Sequence, residues 1–317
     1  MLHQVGVRLL RLVPVMVLIT LLATAAVDFM PGSPAVAILG NEATPEQIAA
    51  LTTQMGLDQP LFARYAEWLA GAAQGDLGRS IRLDLPVAEV IAQRLPVTIE
   101  LTILALCIAL LLSVPAALVA GANVGGWVDR VASTISSALI SLPSFAAAVI
   151  LIYLFAIRTK VFPVSGWVPF AQDPLANLQH AFLPALVLGL MEAAMFYRVL
   201  RSDVIATVRE TFVLAARARG MSKGYVLMRH VLRPSLFSLL TLTGLALGRL
   251  LGGAMIVEVL FALPGLGSLL LQSVPSRDIP VIQGVVLVIA AVYVLVNIAV
   301  DLVYSAVDPR VRVRSAA

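Results

Sequence analysis

Arg201-Ser-Asp-Val-Ile-Ala-Thr-Val-Arg-Glu-Thr-Phe-Val-Leu-Ala-Ala-Arg-Ala-Arg-Gly220, continued by Met-Ser-Lys-Gly-Tyr-Val-Leu-Met-Arg-His-Val-Leu-Arg233, lies between two long apolar runs. It is too polar for hydrocarbon. Seven Lys/Arg stand against Asp203 and Glu210, a local charge of +5 in a chain whose total is +4. A short loop rich in Lys/Arg between apolar spans marks the cytoplasmic side of a membrane protein, so this stretch orients the rest. Val204, Val208 and Phe212 recur at helical spacing, Ala215, Ala216 and Ala218 favour helix, and Gly220 supplies a stop. The pattern predicts a short helix ending at Gly220 and a second reaching about His230. Its small residues and terminal Gly favour close docking on another protein; the alternative is a solvated basic loop.

Composition agrees with membrane residence. Hydrophobic residues make up 60% of the chain and charged residues 13%, with a mean hydropathy of +0.96; soluble domains carry roughly 25% charge. The basic character comes from one loop, so nucleic acid is not an expected partner. Cys107, the single cysteine, permits no internal disulfide and no Cys-based metal site. His3, His180 and His230 lie in different segments without metal-ligand spacing. Neither Lys160 nor Lys223 ends a Gly-x-x-x-x-Gly-Lys-Ser/Thr loop, and no Gly-x-Ser-x-Gly or His-Glu-x-x-His run occurs. The chain is therefore expected to be non-catalytic, to bind no cofactor or metal itself, and to draw energy from a partner. An intramembrane enzyme and an ion-coupled carrier are the remote alternatives; a carrier would want several buried acids along one path.

Apolar runs predict six membrane helices at 12–30, 96–120, 133–157, 182–200, 236–258 and 281–304, each about 20 residues as a 30 Å core requires. Residues 31–95 form a long outer segment, with Thr44-Pro-Glu46 as a helix start. Ser141-Leu-Pro-Ser-Phe145 predicts a kink in the third span. Gly244, Gly248, Gly252 and Gly253 permit close helix approach in the fifth. Both termini are expected in the cytoplasm. The chain is read as a single all-α membrane domain over residues 1–317.

Arg249 stands in mid-span, where a charge costs about 2.5 to 3.5 kcal/mol on insertion scales unless it is paired or hydrated. Glu258 is nine residues further on, about 13 Å along the helix at 1.5 Å per residue and out of direct reach. Glu192 of the fourth span is the expected partner. The alternative is a wet substrate path through Glu192, Arg249 and Glu258.

Phe212-Val-Leu-Ala-Ala-Arg-Ala-Arg-Gly220 with His230-Val-Leu-Arg233 resembles the cytoplasmic coupling loop of ABC importer permeases of the dipeptide, oligopeptide and nickel type. Gly56-Leu-Asp-Gln-Pro60, Tyr65 with Trp68, Gly75-Asp-Leu-Gly-Arg-Ser80, Arg94-Leu-Pro-Val-Thr-Ile-Glu-Leu101 and the last 60 residues are similar to the same family. Leu214 replaces the acid that leads the family signature. The resemblance implies the type I importer permease fold in a bacterial or archaeal plasma membrane. It also implies a second related permease, two ATPase subunits holding ATP and Mg, and an external substrate-binding protein. Phe212, Ala215, Ala216, Arg217, Arg219, Gly220 and His230 would couple to the ATPase; Gly75, Asp76 and Arg79 would belong to the binding-protein platform. Peptides are the foremost cargo, with nickel, glutathione, haem and sugars as alternatives.

Overall fold

The computed structural model describes residues 2–29, 34–40, 43–54 and 56–307. The Met30–Ser33 part of the first Pro-Gly turn and the basic end at Arg310, Arg312 and Arg314 lie outside them. In chain order the helices are α1 Leu2–Asp28, α2 Pro34–Leu39, α3 Pro45–Gln54, α4 Leu61–Ala73, α5 Val87–Ala122, α6 Trp127–Ser141 and α7 Ser144–Leu151. They continue with α8 Pro174–Val208, α9 Thr211–Ala218, α10 Lys223–Val226, α11 Leu232–Leu260, α12 Leu266–Ser273 and α13 Ile279–Val307. Wider π-helical turns extend α7 over Ile152–Arg158 and join α10 to α11 over Leu227–Val231. Among the described residues the only extended pairing is one antiparallel bridge between Arg79 and Pro86.

Among the described residues, four helices are long and apolar enough to cross a membrane: Val87–Ala122, Pro174–Val208, Lys223–Gly252 and Ile279–Val300. The pair Trp127–Ser141 and Ser144–Arg158 makes a fifth if it acts as one span, and Val13–Ala26 is a shorter apolar stretch. The expected kink in the third span is a 110° break. Leu142 is extended, as a residue before Pro must be, and Pro143 starts the next helix with no N–H to lose. Large apolar side chains such as Ile103, Leu111, Val149, Leu245 and Leu295 are exposed, which suits lipid-facing surfaces. Cys107 shares that exposure.

Several boundaries differ from the sequence expectation. α5 starts nine residues before Pro96 because Val87, Val90 and Ile91 bury against Leu266, Leu269, Val281 and Val285. α8 runs on to Val208. The second short helix does not stop near His230 but continues into α11 as one apolar span. Pro234 is tolerated there because its ring would clash with the carbonyl of His230, four residues earlier, and the widened turn Leu227–Val231 relieves that crowding. Gly244 shows the expected close approach, since a Cβ there would lie 3.0 Å from Val300 Cγ1, whereas Gly252 has nothing within 4 Å.

Within the chain two compact units stand out, residues 1–98 with 264–295, and 99–263 with 296–317. Each holds an apolar cluster of its own. In the first unit, Tyr65 on α4 donates to the Val17 carbonyl at 2.7 Å and meets Thr20 Oγ1 at 2.7 Å, pinning α1. Gln283 Nε2 donates to Thr24 Oγ1 at 2.7 Å. Thr44 and Gln47 form a reciprocal capping box at the start of α3, where a helix start was expected. In the second unit α8 packs on α6, α7 and α11. It lies so close to α5 at Gly189 that a Cβ would sit 2.8 Å from the Ala105 carbonyl oxygen.

Candidate functional site

The stretch that opened the reading folds into a seated corner. α9 ends in a Schellman motif: Gly220 N–H donates to the Arg217 carbonyl at 2.9 Å and Met221 N–H to the Ala216 carbonyl at 3.4 Å. Gly220 holds the left-handed φ of +77° that this stop requires. Val213 and Ala216 point inward, into a cluster with Ala117, Leu118 and Ala120 of α5, Phe196, Tyr197, Leu200 and Val204 of α8, and Val226 and Val231. Phe212, Leu214, Ala215, Arg217, Arg219 and Gly220 are exposed. The helical stripe Val204, Val208, Phe212 is broken because the chain leaves helix at Arg209 and Glu210, which resets the phase and turns Phe212 outward.

Ala216, expected among the contact residues, is 5% exposed and packed inside its own chain. His230 is half-buried, edge-on to Tyr225 at 5.8 Å, and its Nε2 has no hydrogen-bond partner among the described residues. Six of the seven basic residues face solvent. The seventh, Arg201, turns inward.

Arg201 meets a residue that the sequence reading did not single out. Asp129, in the first turn of α6 and 4% exposed, accepts from Arg201 Nε on Oδ1 and from Arg201 Nη2 on Oδ2 at 2.8 Å. It also accepts from the Gly125 N–H at 2.8 Å and from the Tyr197 hydroxyl at 3.3 Å. One carboxylate therefore ties the α5–α6 turn, α6 and α8 together. Beside it, a Cβ on Gly121 would lie 2.5 Å from Val204 Cγ1, so only glycine fits this crossing. The available signal was a lone acid in a short segment on the basic side, Gly126-Trp-Val-Asp129.

The mid-span charge is paired as expected. Arg249 donates to Glu192 through Nε at 3.2 Å and Nη2 at 2.7 Å, a two-pronged bond between α11 and α8. The Glu192 side chain is 9% exposed and that of Arg249 45%. Glu258, by contrast, is fully buried.

In the first unit Gly75 and Asp76 are exposed in a turn, where Asp76 Oδ1 accepts from the Gly78 N–H at 2.8 Å. Arg79 pairs with Asp84 at 3.1 Å, both exposed, on the rim of a cavity of about 610 Å³. Below them Asp278, 2% exposed, accepts from the Ser80 hydroxyl at 2.5 Å and from the backbone N–H groups of Ile81 and Arg82 at 3.2 and 3.3 Å. That carboxylate fixes the loop to the start of α13.

Residues 113–313 match the family described as binding-protein-dependent transport system inner membrane component, and residues 1–102 match the N-terminal part of such a membrane component. The chain belongs to this family. The permease is 37% identical over 305 residues to a putative peptide transport system permease protein of Brucella abortus (strain 2308), covering 96% of its own length and 97% of the relative's. It is 38% identical over 312 residues to the glutathione transport system permease protein GsiC of Escherichia coli O6:H1 (strain CFT073), covering 98% and 99%. A crystal structure of an amino acid ABC transporter with histidines aligns with 70% of the permease and 94% of that chain, at a TM-score of 0.48 and 20% identity. The permease is a non-catalytic inner-membrane component of a binding-protein-dependent ABC importer.

Proposed function

We propose that the permease forms half of a peptide-translocating pathway and that α9 is the helix through which ATPase subunits drive it. The observation that carries this reading is α9 itself: a helix seated by Val213 and Ala216 that presents Phe212, 46% exposed, and Leu214, 52% exposed, amid basic residues. Exposed apolar side chains on a rigid polar-side helix are what a partner's groove would take. Phe212, Ala215, Arg217, Arg219 and Gly220 would make the contact, with His230 behind them. The partners are two ATPase subunits holding ATP and Mg, a second related permease, and an external binding protein that docks over Gly75, Asp76 and Arg79. Closure of the ATPases would push α9, tilt the spans and switch the pathway from inside to outside. Glutathione is the second reading for the cargo, favoured by the similarity to GsiC.

Ala215→Trp should leave an inserted permease, because Ala215 is exposed, yet abolish co-purification of the ATPase subunits and uptake of a labelled mixture of di- to tetrapeptides. Normal ATPase binding by this variant would dismiss α9 as the coupling helix. Orientation has its own test. In a Cys107→Ser background, cysteines at the exposed positions Ala50 and Gln172 should react in whole cells with an impermeant thiol reagent, and one at Ala218 should not. Labelling at Ala218 from outside would invert the topology.

A further inference from the structure

We infer that Asp129 and Arg201 are positioning residues of the transport cycle, the joint through which displacement of α9 reaches the bent α6–α7 element; the inference rests on α9 being the coupling helix. Three observations converge on it. First, α9 has no independent seat: Val213 and Ala216 lie in the same cluster as the inner parts of α5 and α8, so a push on α9 is a push on α8. Second, α6 is the helix with a reason to move separately, since it ends at the Leu142–Pro143 break and turns by 110° into Ser144–Arg158. Third, the polar ties from α6 to α8 are few and specific. Ser136 donates to the Ala194 carbonyl at 2.9 Å, Arg198 reaches Ser137 at 3.5 Å, and Ser133 meets the Tyr197 hydroxyl at 3.1 Å. The charged tie is Asp129 with Arg201, and its carboxylate also holds the Gly125 N–H of the preceding turn.

An apolar contact between α6 and α8 would let one helix slide on the other. A forked ion pair fixes distance and angle together, because guanidinium and carboxylate meet along two parallel bonds. Arg201 is thereby withdrawn from the basic surface that its neighbours form and serves as an internal fastener. Its position one helical turn beyond Tyr197 puts both donors on the same carboxylate.

The test uses the complete reconstituted transporter in lipid nanodiscs, with spin labels on cysteines at the exposed positions Ala138 of α6 and Ala218 of α9, in the Cys107→Ser background. In the otherwise native permease the distance between the labels should be narrowly distributed and unchanged when the ATPases are trapped closed with ATP and vanadate. The neutral pair Asp129→Asn with Arg201→Gln leaves no orphan charge. It should keep its ATPase subunits, yet show a distance that shifts or broadens on trapping. In proteoliposomes, labelled peptide moved per ATP should fall about tenfold, within the range of ordinary coupling energies. Arg201→Lys keeps the charge and loses the fork, so it should show a smaller change of the same sign, and it carries the test if the neutral pair does not fold. A distance that stays narrow in these variants, or one that already changes in the native pair, overturns the joint. Ala215→Trp separates the two readings: if that variant keeps ATPase binding, the coupling helix is misassigned, whereas loss of ATPase binding there, together with an unchanged label distance in the Asp129→Asn, Arg201→Gln pair, rejects the joint alone.

Discussion

Arg249→Leu should strand the Glu192 carboxylate between α8 and α11 and remove most transport, and the loss should not add to that of Glu192→Gln. The carboxylate is nearly buried and its two oxygens both accept from one guanidinium. Breaking a fully buried pair costs about 3 to 5 kcal/mol because a charge is left uncompensated. Arg249 is partly exposed, so about 2 to 3 kcal/mol is the better expectation here. Taking both groups away leaves nothing stranded. The double variant should then be no less stable than the worse single, which corresponds to a coupling of about 1 to 3 kcal/mol. Unfolding of the purified permease in detergent, read beside peptide uptake in proteoliposomes, measures the cycle. Strictly additive losses would mean that the two side chains ignore each other.

Ala216→Glu should prevent the permease from accumulating in the membrane, while Ala215→Glu, one residue earlier, should not. Ala216 belongs to the buried apolar cluster that holds Phe196, Leu200, Val204 and Val213. A carboxylate there costs at least about 2 kcal/mol in lost hydration. The added volume costs about 1 to 3 kcal/mol more. Ala215 faces solvent, where a carboxylate is harmless to folding and damaging to ATPase association. Size-exclusion profiles of fluorescently tagged variants distinguish the two. Equal accumulation of both would show that α9 is not seated as described.

What was legible in the sequence followed from local chemistry. The four long apolar helices and the bent pair, the break at Pro143, the helix stop at Gly220 and the need of Arg249 for Glu192 all arise from residue type and spacing alone. The direction in which α9 faces was not legible, because Ala215 and Ala216 are chemically alike and only the packing of the whole cluster decides which one is covered. The phase of the Val204, Val208, Phe212 stripe misled for the same reason, since a two-residue break between helices is invisible to periodicity. Asp129 escaped because an acid near Arg130 reads as surface balance until α8 brings Arg201 against it. Glu258 reads as a path residue on charge alone, and its full burial in this chain is not visible in the sequence.

The buried carboxylate of Asp278 bears on how the permease is made. Its partner Ser80 lies 198 residues earlier in the chain, and the Gln283 bond to Thr24 spans 259 residues. At about 5 to 20 residues per second of synthesis, roughly 10 to 40 seconds separate the emergence of Ser80 from that of Asp278. Until then the backbone N–H groups of Ile81 and Arg82 have no carboxylate to close on, and α1 lacks the Gln283 bond to Thr24. An earlier-made part of this chain is thus completed by a segment made much later, and a chain cut short before residue 278 leaves the Ser80–Arg82 loop open to quality-control proteases.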